Sequence, residues 1–362
     1  RVATGLIQNG IKTPNQIIRE MYGGEGYAGG NVYYMPMSAL PVGFDESDGP
    51  PPEDLAAGEN GDGEKSKTPK TLRSTTRGLR DGVSFWATPE RKELLWKAFE
   101  KRTDAKARRM EPLVQHWLKK QGYSAAARAR KAQQPAELSA GKLLNEDEEI
   151  TSYRKRFERL YQEFFLKAAQ TGLKQTKGIL WDPDEKSILS DTRQDDEFNF
   201  TEIHKIKIEE MVMSAGSEIT MTSKAAITKI IQEGLQEGWT VEKIAQEIAA
   251  KCEQLSYSRS RLVSKTEMCE VENFGLLEGY KANPEVELKG WVCAFVEKSR
   301  QGHMDADRKY NDEPIALSEN FHVQAPNGEI QEMMFPGDAS QGATPDNFCN
   351  CYCTIFPEVR NL

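Results

Sequence analysis

The sequence predicts an α+β fold, with mainly helical N-terminal and middle regions and a small irregular antiparallel sheet at the C-terminal end. Three observations carry this. Apolar residues recur at helical spacing through long stretches of 83–283. From Glu287 onward the pattern changes to short alternating stretches, aromatic residues and Gly/Pro loops. Runs of helices followed by runs of strands indicate segregated layers.

The elements follow in order. In residues 1–43, Asn9-Gly10 is a turn signal. Thr13-Pro14-Asn15-Gln16 starts a helix, with Thr13 as cap, Pro14 in the first turn and Gln16 at the capping-box position. Gly23-Gly24 ends that helix, and Asn31 to Met35 is strand-like until Pro36. Residues 44–82 form a linker rich in Asp, Glu, Gly, Pro and Ser. It lacks apolar periodicity and is expected to be disordered. Residues 83–200 form a helical region. Thr88-Pro89-Glu90 opens a helix, Leu94 to Leu118 carry its apolar face, and Gly122 is expected to stop it. Gln133 to Asn145 is low in apolar content and expected to be flexible. Glu148 to Ala169 is a second amphipathic helix, and Trp181 to Asp184 is a loop.

Residues 201–362 form the last region. Ile203 to Met213 and Ile219 to Leu235 have helical spacing, and Gly238 ends the second stretch. Thr240 caps a helix burying Val241, Ile244, Ala245 and Ile248, and a further helix runs from about Ser258 to Ala282. Lys289-Gly290-Trp291 opens a strand-like stretch that leads to Arg300 and His303.

Composition narrows the function classes. The net charge of -8 argues against a chain that is basic overall for nucleic-acid binding. No apolar run approaches the roughly 18–20 residues that span a bilayer, and residues 1–20 lack a signal-peptide core. The chain begins with Arg1, so a fragment or processed product is expected. Charge is uneven: Asp45 to Glu64 is acidic, and Arg91 to Lys131 is basic. Within the basic stretch, Lys101, Arg102, Lys106, Arg108 and Arg109 admit three readings. These are a solvated helix face, contacts to DNA phosphates, or a match to an acidic surface such as the linker.

The chemistry-bearing residues cluster late. Thr266, Glu270 and Asn273 share one helix face at spacings of four and three. A buried Glu267 calls for a cationic partner, with Arg300 or Arg308 as candidates. His303 can be a hydrogen-bonded structural residue, a metal ligand or an acid–base group. Cys351 and Cys353 put both thiols on one side of an extended segment. That suits a zinc clip completed by His303 or His322, and it equally suits buried structural cysteines. A Cys351–Cys353 disulfide would strain the bridge geometry. Asn350 offers an amide that can tie the last strand to a loop. Pro336-Gly337-Asp338 is a turn. There is no P-loop, no Gly-x-Ser-x-Gly and no His-Glu-x-x-His motif.

The order Thr266-Glu267, Asn273, Trp291, Arg300, His303, Phe321, Gly328, Pro336-Gly337-Asp338 and Asn350-Cys351-Tyr352-Cys353 resembles the Mu F-like minor head protein family of tailed phages, or phage head morphogenesis domain. The resemblance covers roughly residues 200–357. Lys265 and Tyr352 stand where the family usually has Arg, and Glu297 lies three rather than two residues before Arg300. "NGIKTPNQIIREMYG" with the following "YYMPMSALPVG" resembles the C-terminal end of a phage portal protein.

These resemblances imply a virion structural protein without catalytic turnover, assembled in the bacterial host cytoplasm. Its role would be head morphogenesis or DNA packaging at the portal vertex, as an oligomer among portal and capsid proteins, with packaged DNA a candidate partner of residues 91–131. A portal–minor head fusion is one form this takes. Mu F-like domains also occur in phage-encoded toxin proteins. On that alternative His303, Arg300 and Glu267 form part of a nuclease or ADP-ribosyltransferase-like site. Such enzymes usually follow the Mu F-like part, and little chain follows Cys353 here.

Overall fold

The computed structural model describes residues 85–180, 197–294, 296 and 299–359. The chain divides into two units, residues 1–71 and 72–362. The portal-like segment, the whole of the 44–82 linker, the Trp181 to Asp184 loop and Glu297 lie outside the described residues. All the described residues belong to the second unit.

Four long helices precede the strands. Helix α1 spans Pro89–Ala129, α3 spans Glu146–Gln175, α4 spans Glu202–Gln236 and α5 spans Val241–Lys281. Between α1 and α3 lie a 3₁₀ turn, Pro135–Glu137, and a one-turn helix α2, Ala140–Leu143. Helices α1 and α5 have 41 residues each, so each is about 60 Å long at 1.5 Å per residue. Helices α1 and α3 both pack along α5, and α4 packs on α3. The α3–α5 crossing is close because small residues face each other: a Cβ at Gly279 would fall 2.2 Å from the Ala169 carbonyl oxygen.

Local signals set several ends. Thr88 precedes Pro89 at the start of α1. Thr240 Oγ1 accepts from the Lys243 amide at the start of α5. Asn145 does the same for Glu148 in α3, which begins two residues before the expected start.

The structure corrects four expectations. Gly122 does not stop α1; it is buried where α1 crosses α5, and a Cβ there would meet Cys252 Cβ at 2.3 Å. The two stretches within 203–235 are one helix, and so are the two within 241–282. No Gly or Pro lies between Ala249 and Ser258, and good helix formers such as Lys251, Glu253, Gln254 and Leu255 carry the helix across. The segment Gln133 to Asn145 is built rather than loose, with Leu138, Leu143 and Leu144 buried against Ile227, Ile231 and Ile248.

After α5 come β1 (Leu288–Val292), α6 (Gln301–Asp312), β2 (Ile315–Ala316), β3 (Phe321–Gln324), β4 (Ile330–Met333), a short helix α7 (Pro345–Phe348) and β5 (Thr354–Pro357). Strand β1 lies between β2 and β5, antiparallel to both, with Trp291 opposite Ile355. Strands β3 and β4 form a separate antiparallel hairpin with Phe321 opposite Met333. One apolar core runs from Trp86, Phe99 and Trp117 through Phe165 and Leu276 to Trp291, Phe321 and Phe356. The helices and the sheet therefore share it. Helix α6 was not foreseen: His303 lies on a helix, not at the end of a long strand, because β1 stops at Val292.

Candidate functional site

The motif residues converge where α5 meets the sheet. Asn273, fully buried, donates its amide to the carbonyl oxygens of Pro336 at 2.8 Å and Cys353 at 3.0 Å. Its own oxygen accepts from Thr354 Oγ1 at 2.9 Å. One side chain thus joins the long helix to the Pro-Gly-Asp turn and to the entry of β5.

The turn is built for that contact. Pro336 precedes Gly337 with φ +93°, and the Asp338 amide donates to the Phe335 carbonyl at 3.1 Å. Positive φ at the third residue, with Pro at the second, is the type II pattern. Asp338, also buried, accepts from the amides of Met334 and Ser340, each at 2.8 Å.

Thr266 Oγ1 accepts from the Asn350 backbone amide at 3.1 Å. Asn350 has φ 55°, a left-handed conformation that Asn tolerates better than most residues. Its side chain is exposed, so its contribution is a backbone conformation and not the amide tie expected from sequence. Arg300 donates to the Cys349 carbonyl at 2.6 Å. The peptide group joining Cys349 to Asn350 is therefore pinned at both its polar atoms, the amide by α5 and the carbonyl by the start of α6.

Glu267 has a different partner from the one expected. Its carboxyl accepts from the Tyr161 hydroxyl at 2.8 Å, and Tyr161 lies 3.2 Å from the Tyr153 hydroxyl. Arg300 is committed to Cys349, and Arg308 pairs with Asp305. Burial pushes Glu267 up to about 7, despite the Tyr161 hydrogen bond, and Glu218 adds to the rise. Burial also raises its neighbour Glu270, with Glu267 as the next cause. A raised proton affinity takes the place of the cationic partner that burial was expected to require.

The buried cationic pairing in this unit belongs to Glu272, which sequence reasoning missed. Glu272 is fully buried and accepts from Arg102 Nε at 2.7 Å and from Lys106 Nζ. Two of the five cations considered for DNA contact are thus turned inward, and Arg109 pairs with Glu163 at 2.6 Å. Lys101 and Arg108 lie on the exposed face of α1, Arg108 paired with Asp104 at 3.8 Å. Lys289, also not singled out as a buried charge, has no exposed surface and donates to the Met334 and Leu317 carbonyls at 2.8 and 3.1 Å. Burial lowers it to about 7, with Lys281 next.

His303 and the thiols form the last cluster. Gly302 brings α6 against β3 so closely that a Cβ would fall 2.0 Å from the Gln324 carbonyl oxygen. This seats buried His303 in the core, edge-on to Trp291 at 5.5 Å between ring centroids. His303 Nδ1 lies 3.3 Å from Cys353 Sγ and 3.5 Å from Cys351 Sγ. The three ligand atoms lie within 4.8 Å of one another, which makes this the group suited to a metal among the described residues. The hydrogen bond to Cys353 holds the Cys351 thiol well below its ordinary range against the pull of burial, with His303 beside it. Burial, the largest single influence, acts to lower His303, but the Cys351 sulfur and the Asn347 hydrogen bond together raise the imidazole overall. His322, the other nitrogen donor considered, is exposed and pairs with Glu332 at 3.6 Å. Cys293, just past β1, is buried and follows the Val292–Thr354 pair, which sets it opposite Cys353 in the antiparallel register. No motif spacing marked it.

His303, Arg300 and Glu267, grouped on the enzyme alternative, have separate partners: thiols and Asn347, the Cys349 carbonyl, and Tyr161. A cavity of about 430 Å³ lies elsewhere, on α3, lined by Glu148, Thr151, Ser152, Lys155 and Arg156. No family model, no curated protein and no solved structure matches the chain.

Proposed function

We propose that this chain is a phage virion structural protein that acts in head morphogenesis or DNA packaging at the portal vertex, without catalytic turnover. The observation that carries the proposal is the fate of the motif residues. Thr266, Asn273, Trp291, His303, Pro336, Gly337 and Asp338 are buried, and Arg300 donates to a backbone carbonyl. Side chains that act on a substrate must reach it; these hold α5, the turn and the last strand together. The partners proposed are portal and capsid proteins, in an oligomeric setting. DNA contact along α1 is proposed only for exposed residues such as Lys101 and Arg108, because Arg102 and Lys106 are bound to Glu272.

The enzyme alternative draws its support from His303 and Glu267 both having perturbed titration, a feature that also marks active sites. Their separate partners favour the structural reading.

The test is assembly. Heads are produced from the encoding phage's coat, portal and scaffold genes with and without this gene, then purified and analysed by mass spectrometry and DNA content. The expected result is this chain in purified heads, at few copies beside the portal, and defective DNA-filled heads without it. Normal filled heads that lack the chain would overturn the proposal.

A further inference from the structure

We propose that Cys293, His303, Cys351 and Cys353 form a closed structural zinc site that staples the sheet to α6. This goes beyond the assembly reading and does not depend on it. Four observations support it. First, the spacings suit a metal. With bonds of about 2.3 Å to sulfur and about 2.0–2.1 Å to nitrogen, a tetrahedron has nitrogen–sulfur edges of about 3.5 Å. His303 Nδ1 stands 3.3 and 3.5 Å from the two thiols.

Second, the imidazole is aimed by a chain of hydrogen bonds that starts at the backbone. The Thr344 amide donates to Gln331 Oε1 at 3.0 Å, which fixes that atom as oxygen. Asn347 Nδ2 donates to the same oxygen at 3.1 Å, which turns Asn347 Oδ1 toward His303. That oxygen lies 2.9 Å from His303 Nε2, so Nε2 carries a proton and donates. The Nδ1 lone pair then faces the thiols. A ligating histidine whose other nitrogen donates to a fixed acceptor is the usual outer arrangement of a metal site.

Third, the Cys353 amide lies 3.5 Å from Cys351 Sγ, a contact that favours thiolate over thiol. Fourth, Cys293 supplies the missing corner. One step past the Val292–Thr354 pair, the antiparallel register sets buried Cys293 opposite buried Cys353, and a turn of its side chain would carry the thiol to the three ligand atoms already grouped within 4.8 Å. Three sulfurs and one nitrogen select zinc among common divalent ions by softness and geometry. Four protein ligands leave no position for a reactive water, so the site is structural.

The full chain is produced with zinc and then with cobalt in the medium, purified in reductant, and analysed for metal content and optical absorption. The expected result is one zinc per chain, released on mercurial titration of the thiols. The cobalt form should show tetrahedral ligand-field bands and thiolate-to-cobalt charge transfer. Cys293→Ser should weaken that charge transfer by one thiolate's share, and Cys269→Ser should leave it unchanged. Asn347→Asp, which keeps an acceptor, should retain metal better than Asn347→Leu.

The wild-type measurements decide the matter even if a ligand variant fails to fold. Folded wild-type chain with less than a tenth of an equivalent of zinc and no cobalt spectrum would overturn the proposal. So would a Cys351–Cys353 or Cys293–Cys353 disulfide found by mass spectrometry in chain purified without metal chelators. Unchanged cobalt charge transfer in Cys293→Ser would overturn the four-ligand set.

Discussion

Asn273 on α5 reaches the carbonyl of Cys353 at 3.0 Å, across 80 residues of sequence, and holds the Pro336 carbonyl with the same amide. Helix, turn and final strand are thereby fixed by one side chain with no exposed surface. Replacing it removes three hydrogen bonds and leaves two carbonyls and a hydroxyl without partners. Asn273→Ala is expected to lower stability by about 3 kcal/mol, since each buried group left unsatisfied costs about 1–3 kcal/mol and water recovers part. Urea unfolding of both proteins checks this. A change under about 0.5 kcal/mol, the range of ordinary surface substitutions, would contradict it.

The Glu272 cluster makes a second prediction. Glu272→Gln leaves Arg102 and Lys106 as two buried cations facing a neutral amide. Breaking a buried pair costs about 3–5 kcal/mol. Lys106, already pulled down by burial, should then lose its proton more readily, because Glu272 is what raises it. The destabilisation should therefore shrink at alkaline pH. Chemical unfolding at about pH 7 and about pH 9.5 reads both effects, and an equal loss at the two pH values would count against this account of Lys106.

Glu267 sets a pH dependence of definite sign. Its folded value of about 7 lies above the ordinary glutamate range. Between about pH 4.3 and 7 the folded chain therefore holds a proton that the unfolded chain has released. The contribution of Glu267 to stability is intact at low pH, falls through this window and levels off above 7. Glu267→Gln keeps a neutral group of similar shape. Its unfolding free energy should exceed that of the wild type above pH 7, on the order of 1–3 kcal/mol, and converge with it below pH 4.3. Unfolding curves across about pH 4–8 test this, and a Gln variant less stable than wild type at the alkaline end would refute it. Glu267→Ala should be less stable than Gln at every pH, because it leaves Tyr161 without its acceptor.

Sequence exposed the local parts of this structure well. Thr88-Pro89, Thr240 and Gly238 act on their immediate neighbours, so their roles at helix ends could be read directly. Pro336-Gly337-Asp338 is likewise a turn whose residues dictate their own backbone. Gly122 misled because its reason is tertiary, a close pass by Cys252. Helix α6 escaped because it buries only Gly302, His303, Ala306 and Tyr310, too weak a stripe to outweigh the β-like context. The partner of Glu267 was misjudged because burial can be answered by a proton as well as by a cation. Cys293 and Glu272 carry no spacing signal, since their partners lie tens to hundreds of residues away.

The central claim is that the motif residues hold the fold and do not turn over a substrate. The most direct measurement compares nuclease and ADP-ribosyl transfer activity of wild type and His303→Ala at matched folded concentration, with thermal unfolding recorded for both. The account predicts no activity above background in either protein and a lower unfolding midpoint for His303→Ala. Activity in the wild type that disappears in a variant of undiminished stability would contradict it.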